Sequence, residues 1–494
     1  MSLIKKLVGD TAIYGLSFIL GRILNYVVLG FYLTFRVDRV SYGIYNEFYF
    51  YVAFLLILLT FRMETTYFRY SPKEGKRAVF SVAIWNIVLW VLVFWLLAMF
   101  FAPGIASFLS YPGKGYYIRI LASVVSLDAL VAVPFARLRM ENRSLRFAYI
   151  KILQILVNVG LVLFFIEVMP RLAARGWITA GWFYHPDDII LDVFLANLIS
   201  SLFTWLMLSG QLLQLQFPDK ALWVKMLKYA GPLVLIGLAG VFNQYSYTVF
   251  QKYKLLGDLL DNVSNVGVYS AALKIAMMLS LFTTAFNYAA EPFFFQQASR
   301  ADHTEIYADV ARIYSLAAGI IILAVLQYID LIQYLVGKDF RAGLSMAPVL
   351  LTAFYFLGLY YNFSIWYKIK DKTTVGAWIA ITGTIITFAL SFVLLPEYGR
   401  IGSAWAALGC YLTMALLAWG IGRKYFPVPY SLFRMLAWLL ATLGIFALSQ
   451  WSIRSFSHGA PLLSFAIRTG WMGIYLLAIY FIEGPWIRRA LKRT

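Results

Sequence analysis

Some fourteen stretches of about twenty mostly apolar residues follow one another along the chain with short breaks between them. That succession constrains the fold more than any other feature, because about 20 such residues in a helix cross the hydrocarbon core of a bilayer. The spans read at residues 11–35, 41–62, 78–101, 117–137, 147–168, 189–213, 229–250, 267–292, 312–332, 344–366, 374–395, 401–421, 432–450 and 462–483. They predict an all-α integral membrane protein of about 14 transmembrane helices, with no soluble domain of any size. Of 494 residues, 62% are hydrophobic and 13% charged, whereas ordinary globular domains carry roughly a quarter charged residues. No water-soluble fold hides that much apolar surface.

Lys and Arg number 42 against 23 Asp and Glu, a formal net charge of +19. In a soluble protein that excess points to nucleic acid; here it gathers at helix ends. With the N-terminus in the cytoplasm, 27 basic residues fall on the inner side and 13 on the outer, while Arg22 and Lys274 remain within spans. This is the positive-inside distribution, and the basic ends meet anionic membrane lipids rather than nucleic acid. Arg62, Arg69, Lys73, Lys76 and Arg77 form one inner cluster, and Arg137, Arg139, Arg143 and Arg146 another. An even number of spans returns the C-terminus to the cytoplasm, beside Arg488, Arg489, Lys492 and Arg493. The apolar stretch after Lys5 and Lys6 is too long for a cleaved signal and lacks a small-residue cleavage site, so it reads as a retained first span.

Cys410 is the sole cysteine, and His185, His303 and His458 lie far apart. No disulfide within the chain, metal centre or cofactor is expected. A Gly-rich phosphate loop ending in Lys-Ser/Thr is missing, which argues against ATP hydrolysis. The short outer loops carry no convincing catalytic cluster, so the chain does not read as an enzyme.

The second span opens with Ser41-Tyr42-Gly43-Ile44-Tyr45 and the eighth with Asn265-Val266-Gly267-Val268-Tyr269. Glu64 before Phe68 and Glu291 before Phe293 close the same two spans. Either this is chance in a chain rich in glycine and tyrosine, or residues 1–217 and 218–427 are two pseudo-symmetric six-helix lobes. In the second case 428–494 adds two further transmembrane helices. Six spans is an even interval, so the halves would be parallel repeats enclosing a midplane cavity suited to alternating access.

Charges at membrane depth are expensive and usually face a wet cavity or a partner. Arg22, halfway along span one with Asn25 on the same helical face, reads as a cationic site for an anionic substrate or as a structural bridge to Glu47. Lys274 either snorkels outward or lines the cavity, where it would join Arg22 on a shared anion. Arginine suits phosphate because its planar fork bonds bidentately. Asp128 and Glu47 are candidates for a coupling proton, with pairing to a neighbour as the alternative. Glu291, before Pro292, reads as a gate latch or an interfacial residue at the end of span eight. Asn158, Asn197, Asn243, Asn287 and Asn362 sit on separate helices; they bond neighbouring helices or meet sugar hydroxyls, and Asn243 is carried as a substrate-binding candidate.

Four segments carry a resemblance: Arg62-Met63-Glu64-Thr65-Thr66-Tyr67-Phe68-Arg69, Pro134-Phe135-Ala136-Arg137-Leu138-Arg139-Met140-Glu141-Asn142-Arg143, Ala290-Glu291-Pro292-Phe293-Phe294-Phe295 and Tyr360-Tyr361-Asn362-Phe363-Ser364-Ile365-Trp366-Tyr367-Lys368. In this order they resemble the bacterial polysaccharide-export proteins, the O-antigen-type oligosaccharide flippases, which share a superfamily with the multidrug and toxin extrusion transporters and the lipid II flippases. The resemblance covers nearly the whole chain. It implies a two-lobed V-shaped helical fold in the bacterial plasma (inner) membrane. It further implies movement of a polyprenyl-pyrophosphate-linked oligosaccharide from the inner to the outer leaflet for cell-surface polysaccharide or lipopolysaccharide biosynthesis, with a polysaccharide polymerase or glycosyltransferases as partners. Lipid II flippases hold pyrophosphate with arginines on the first, second and eighth helices. Arg22 matches the first in placement, Lys274 would replace the eighth-helix arginine, and no deep arginine stands in span two, since Arg62 is near its inner end. Physics agrees with the task, because a pyrophosphate and sugars lose hydration in hydrocarbon without replacement. The competing readings are a lipid II flippase, an ion-coupled drug or cation antiporter, and a membrane glycan ligase or polymerase.

Overall fold

The computed structural model describes residues 24, 29–141, 143–179, 181, 184–212, 215–297, 302–370, 372–457 and 460–493. Helices dominate, and no β-strand longer than a single bridge, Gly181 with Tyr184, occurs among the described residues. Thirteen helices there are long and apolar enough to cross a membrane. Most of the first predicted span lies outside the described residues; its last turn is α1, Gly30–Leu33. The fold is the all-α membrane fold that hydropathy predicts.

The described residues group into two compact units. Arg36–Thr248 form one, and Gly30–Phe35 with Val249–Thr494 form the other. The first holds α2 (Arg39–Thr60), α3 (Met63–Glu74), α4 (Lys76–Phe108), α5 (Gly115–Met140), α6 (Ser144–Leu163), α7 (Ile189–Ser209) and α8 (Lys220–Tyr245). Packing gathers α8 with the preceding helices; the expected lobes of 1–217 and 218–427 rest on the sequence motifs alone. The second unit holds α9 (Tyr247–Lys254), α10 (Leu259–Gln297), α11 (His303–Gln327), α12 (Ala347–Phe363), α13 (Thr373–Tyr398), α14 (Arg400–Tyr425), α15 (Leu432–Phe456) and α16 (Pro461–Arg493).

Aspartates start several of these helices, each satisfying N–H groups that have no intrahelical partner. Asp38 accepts from the backbone of Val40 at 2.8 Å and Ser41 at 3.0 Å, and Asp219 from Ala221 at 2.9 Å. The span that hydropathy runs from 41 to 62 is broken between α2 and α3 at Phe61 and Arg62, with φ of 47° and 53°. Two consecutive non-glycine residues in the left-handed region cost about 1–2 kcal/mol each. Local bonds hold the break: Phe61 N–H donates to Ile57 O at 3.0 Å, and Thr66 N–H to Arg62 O at 3.1 Å. The Arg62 guanidinium then lies across Gly237 of α8, where a Cβ would come within 2.8 Å of its Nε.

Both ends of α10 differ from the sequence reading. α10 runs 39 residues and begins at Leu259 rather than 267. It also passes through Glu291-Pro292 to Gln297, so this dipeptide does not end the helix as the sequence suggests. Proline removes one backbone hydrogen bond, a cost of about 3 kcal/mol that a long packed helix absorbs.

In the second unit, α15 and α16 are fastened to α11 by polar contacts rather than by apolar area alone. Arg312 and Glu483, 8% and 1% exposed, form a buried ion pair. Trp438 Nε1 donates to the same carboxylate at 2.8 Å, and the Arg312 guanidinium lies 3.9 Å from the Trp486 ring centroid. Thr442 and Tyr475 share a hydrogen bond of 2.8 Å farther along, and Arg468 pairs with Asp330. Removing one member of a buried pair strands the other charge, at about 3–5 kcal/mol. Glu483→Ala is therefore expected to lower the thermal unfolding midpoint of the detergent-solubilised protein, whereas the double change Arg312→Met with Glu483→Leu restores most of it.

Candidate functional site

Lys274 lies fifteen residues after Leu259, about four helical turns into α10. That is deeper than the two turns read from hydropathy, because the polar residues Asp261, Asn262 and Asn265 belong to the helix. Its side chain is 7% exposed, so it does not snorkel along the lipid face. The stem runs over Gly30 of α1, where a Cβ would stand 3.2 Å from Cε and 3.3 Å from Cδ. Glycine at position 30 thus makes the room that the lysine stem occupies. α1 is held in the same unit by Gly337 N–H donating to Thr34 Oγ1 at 2.8 Å, while Thr34 Oγ1 donates to Phe31 O at 2.7 Å. The result is an ammonium buried inside a packed unit, on a helix long and apolar enough to cross a membrane; a charge at the centre of a bilayer costs about 2.5–3.5 kcal/mol. Arg22 and Asn25 lie outside the described residues.

The other candidates belong to the first unit. Glu47 is 1% exposed and accepts hydrogen bonds from Tyr51 at 2.8 Å and Tyr111 at 2.5 Å. Phe48 packs beside this pair, 5.5 Å between centroids from both Tyr111 and Tyr117. Asp128 accepts from Ser201 Oγ of α7 at 2.8 Å and has Lys151 of α6 as its charged neighbour. Lys151 itself donates to Gln154 at 3.1 Å and stands 4.2 Å from the Phe135 centroid. Asn243 is buried in the last turn of α8, 5% exposed. The backbone of Glu291 is helical within α10.

A feature not foreseen from sequence is the strap that precedes α7. Asp188 caps this helix, accepting from Leu191 N–H at 3.3 Å. The same carboxylate receives Lys114 Nζ at 2.7 Å, Tyr116 Oη at 2.7 Å and the Tyr117 hydroxyl. Next to it, His185 Nδ1 and Asp192 Oδ1 are 2.9 Å apart. Burial alone would raise the Asp188 carboxyl, but the bonds from Lys114, Tyr117 and Tyr116 outweigh it and hold the group below the ordinary aspartate value. For Lys114, burial opposes the charge, yet the Asp188 bond, with Tyr116 beside it, holds the ammonium above its ordinary value. Proximity of Lys114 to Asp188 has no short-range sequence signal; only the N-cap position of Asp188 is readable.

No group of three or more His, Cys, Asp or Glu side chains able to hold a metal occurs among the described residues.

Comparisons with known proteins bear on these residues. Residues 7–298 match the model of the polysaccharide biosynthesis protein family. The fold is similar to that of the lipid II flippase MurJ in its inward closed conformation, with a TM-score of 0.69 at 14% identity over 94% of this chain and 98% of that one. It is also similar to a multidrug resistance MATE family transporter of the MOP superfamily in its inward-facing conformation, with a TM-score of 0.63 at 15% identity over 85% of this chain and 95% of that one. A MATE structure in complex with MaD3S matches with a TM-score of 0.59 at 14% identity, covering 87% and 96%. No curated protein sequence matches the chain.

The strap has a definite pH window. The Asp188 contribution is complete above the ordinary aspartate value, about 3.9, and is lost as the pH falls through its lowered value. The Lys114 contribution is complete below the ordinary lysine value, about 10.4, and is lost as the pH rises through its raised value. The protection of the amides at residues 184–192 against hydrogen exchange, relative to the free-peptide rate at each pH, is therefore expected to stay constant between these limits. Asp188→Asn is expected to quicken exchange there by about 10- to 100-fold at neutral pH, as loss of charge-assisted bonds worth roughly 1.5–3 kcal/mol predicts.

Proposed function

The chain belongs to the polysaccharide biosynthesis protein family, and from that premise we propose that it is a flippase. It would carry a polyprenyl-pyrophosphate-linked oligosaccharide from the inner to the outer leaflet of the plasma membrane by alternating access. A multi-pass helical membrane protein of this family meets a defined physical problem: the saccharide and pyrophosphate need polar partners wherever water is missing, while the polyprenyl tail is at home in lipid.

The observation that carries the reading is Lys274, an ammonium kept buried at mid-helix in a membrane-spanning element. A cation retained at such cost is a functional feature by default, and an anionic head group is the chemistry it suits. Arg22, with Asn25, supplies the second cationic position in this reading, and Asn243 a polar contact to sugar. Asp128 and Glu47 are the coupling candidates and Glu291 a gating candidate. Lysine offers a point charge where an arginine would offer a fork, so the contact selects for charge rather than for bidentate geometry. Membrane lipids are the direct surroundings, and a polysaccharide polymerase or glycosyltransferases are the partners the pathway chemistry calls for. A lipid II flippase would use the same head-group chemistry on a different glycan.

Reconstituted in vesicles with a defined lipid-linked oligosaccharide, Arg22→Ala and Lys274→Ala are each expected to cut the flipping rate about 10-fold or more at normal expression, as loss of a charge-assisted contact implies. Lys274→Arg is expected to keep most of the rate. Full flipping by both alanine variants would remove the head-group site.

A further inference from the structure

A cavity of about 620 Å³ opens between the strap, α5 and α7, wholly within the first unit. Its volume lies within the range of about 300–1,000 Å³ usual for small-molecule sites. Tyr116 and Tyr184 contribute aromatic rings to its lining, with the Lys114 ammonium 5.4 Å from the Tyr116 centroid, and Ile120, Pro186, Leu191 and Leu195 contribute aliphatic surface. His185 and Asp187 stand at the polar side.

The polar groups there are not equally available. Asp188 is occupied by Lys114, Tyr116, Tyr117 and the helix cap. His185 engages Asp192 through Nδ1, which leaves Nε2 without a hydrogen-bond partner among the described residues. Asp187 is exposed and has no hydrogen-bond partner among the described residues. An anionic ligand therefore meets an open carboxylate, while the one lysine nearby, Lys114, already neutralises Asp188. A hydrocarbon tail would fill the apolar part but leave Asp187 and the imidazole unused. A neutral sugar ring uses both: its C–H faces lie on aromatic rings, and its hydroxyls donate to a carboxylate and an imidazole nitrogen.

We propose that this cavity is a subsite for one or two pyranose units of a neutral glycan. This rests on the flippase reading for its role and on the distribution of basic residues for its side. With 27 Lys and Arg inward and 13 outward, the strap is extracytoplasmic, so the subsite takes the glycan end of the substrate on the side where it is delivered. The pinned strap keeps the cavity formed before any sugar arrives, which lowers the ordering cost of binding.

Saturation-transfer NMR tests this on the full-length protein in lipid nanodiscs. The probes are the methyl pyranosides of glucose, galactose, mannose, rhamnose and N-acetylglucosamine, with empty nanodiscs as the baseline. At least one probe is expected to receive saturation from the protein. Tyr184→Ala and Asp187→Ala are each expected to weaken its binding by about fivefold or more, whereas Tyr184→Trp, which keeps an aromatic face, retains it. Thermal unfolding of each variant establishes that it is folded. Transfer no greater than the baseline for all five probes would overturn the subsite, as would folded Tyr184→Ala and Asp187→Ala proteins that bind like the unaltered one. Those results leave the flipping assay untouched. Conversely, a protein that binds the probe at this cavity yet flips no lipid-linked oligosaccharide keeps the subsite and loses the transport role.

Discussion

A polar group placed at the depth of a bilayer has no water to fall back on, and the rest of this structure is arranged around that constraint. Lipid tails are as apolar as leucine, so apolar contact alone gives membrane helices little reason to choose one neighbour over another. Satisfying a polar group does give a reason. Arg312 needs Glu483, and together with Trp438 they locate α15 and α16 against α11. Glu47 needs the hydroxyls of Tyr51 and Tyr111, which ties α2 to the segment between α4 and α5. Asp128 takes Ser201 and so joins α5 to α7. Each unit is held in register by a few such bonds set among a large apolar surface.

Lys274 obeys the same constraint with a different outcome. Its stem is housed by the missing side chain of Gly30 and by the packing of α1, which Thr34 and Gly337 fasten into the second unit. The chain thus devotes a glycine and the last turn of its first span to keeping one ammonium inside a membrane helix.

Much of this was legible in the sequence, and the failures have identifiable causes. Span number and type followed from hydropathy, because length and apolarity are local properties. Helix ends did not. Asp261, Asn262 and Asn265 put the predicted start of span eight at 267, although they belong to α10. Arg312 and Glu483 were placed at the ends of their spans for the same reason: a hydropathy window rejects a charge whose partner lies 171 residues away. The break at Phe61 and Arg62 carries no glycine or asparagine to announce it. Of the candidate residues, Glu47 and Lys274 are buried and Asp128 half-buried, and a charge among apolar residues is a local signal in the sequence. Their partners Tyr111 and Ser201 give none, since nothing in a single sequence pairs distant hydroxyls with carboxylates. Arg22 and Asn25 fall outside the described residues.

The central claim is that the protein transfers a pyrophosphate-linked glycan across a membrane, and leaflet sidedness measures it most directly. Vesicles containing the unaltered protein and a polyprenyl-pyrophosphate oligosaccharide, loaded in the inner leaflet alone, are exposed to an external lectin specific for its terminal sugar. The account predicts protein-dependent exposure of the glycan, with no comparable uptake of a cationic dye under an ion gradient. Glycan that stays hidden at the rate of protein-free vesicles, alongside dye uptake driven by that gradient, would contradict it.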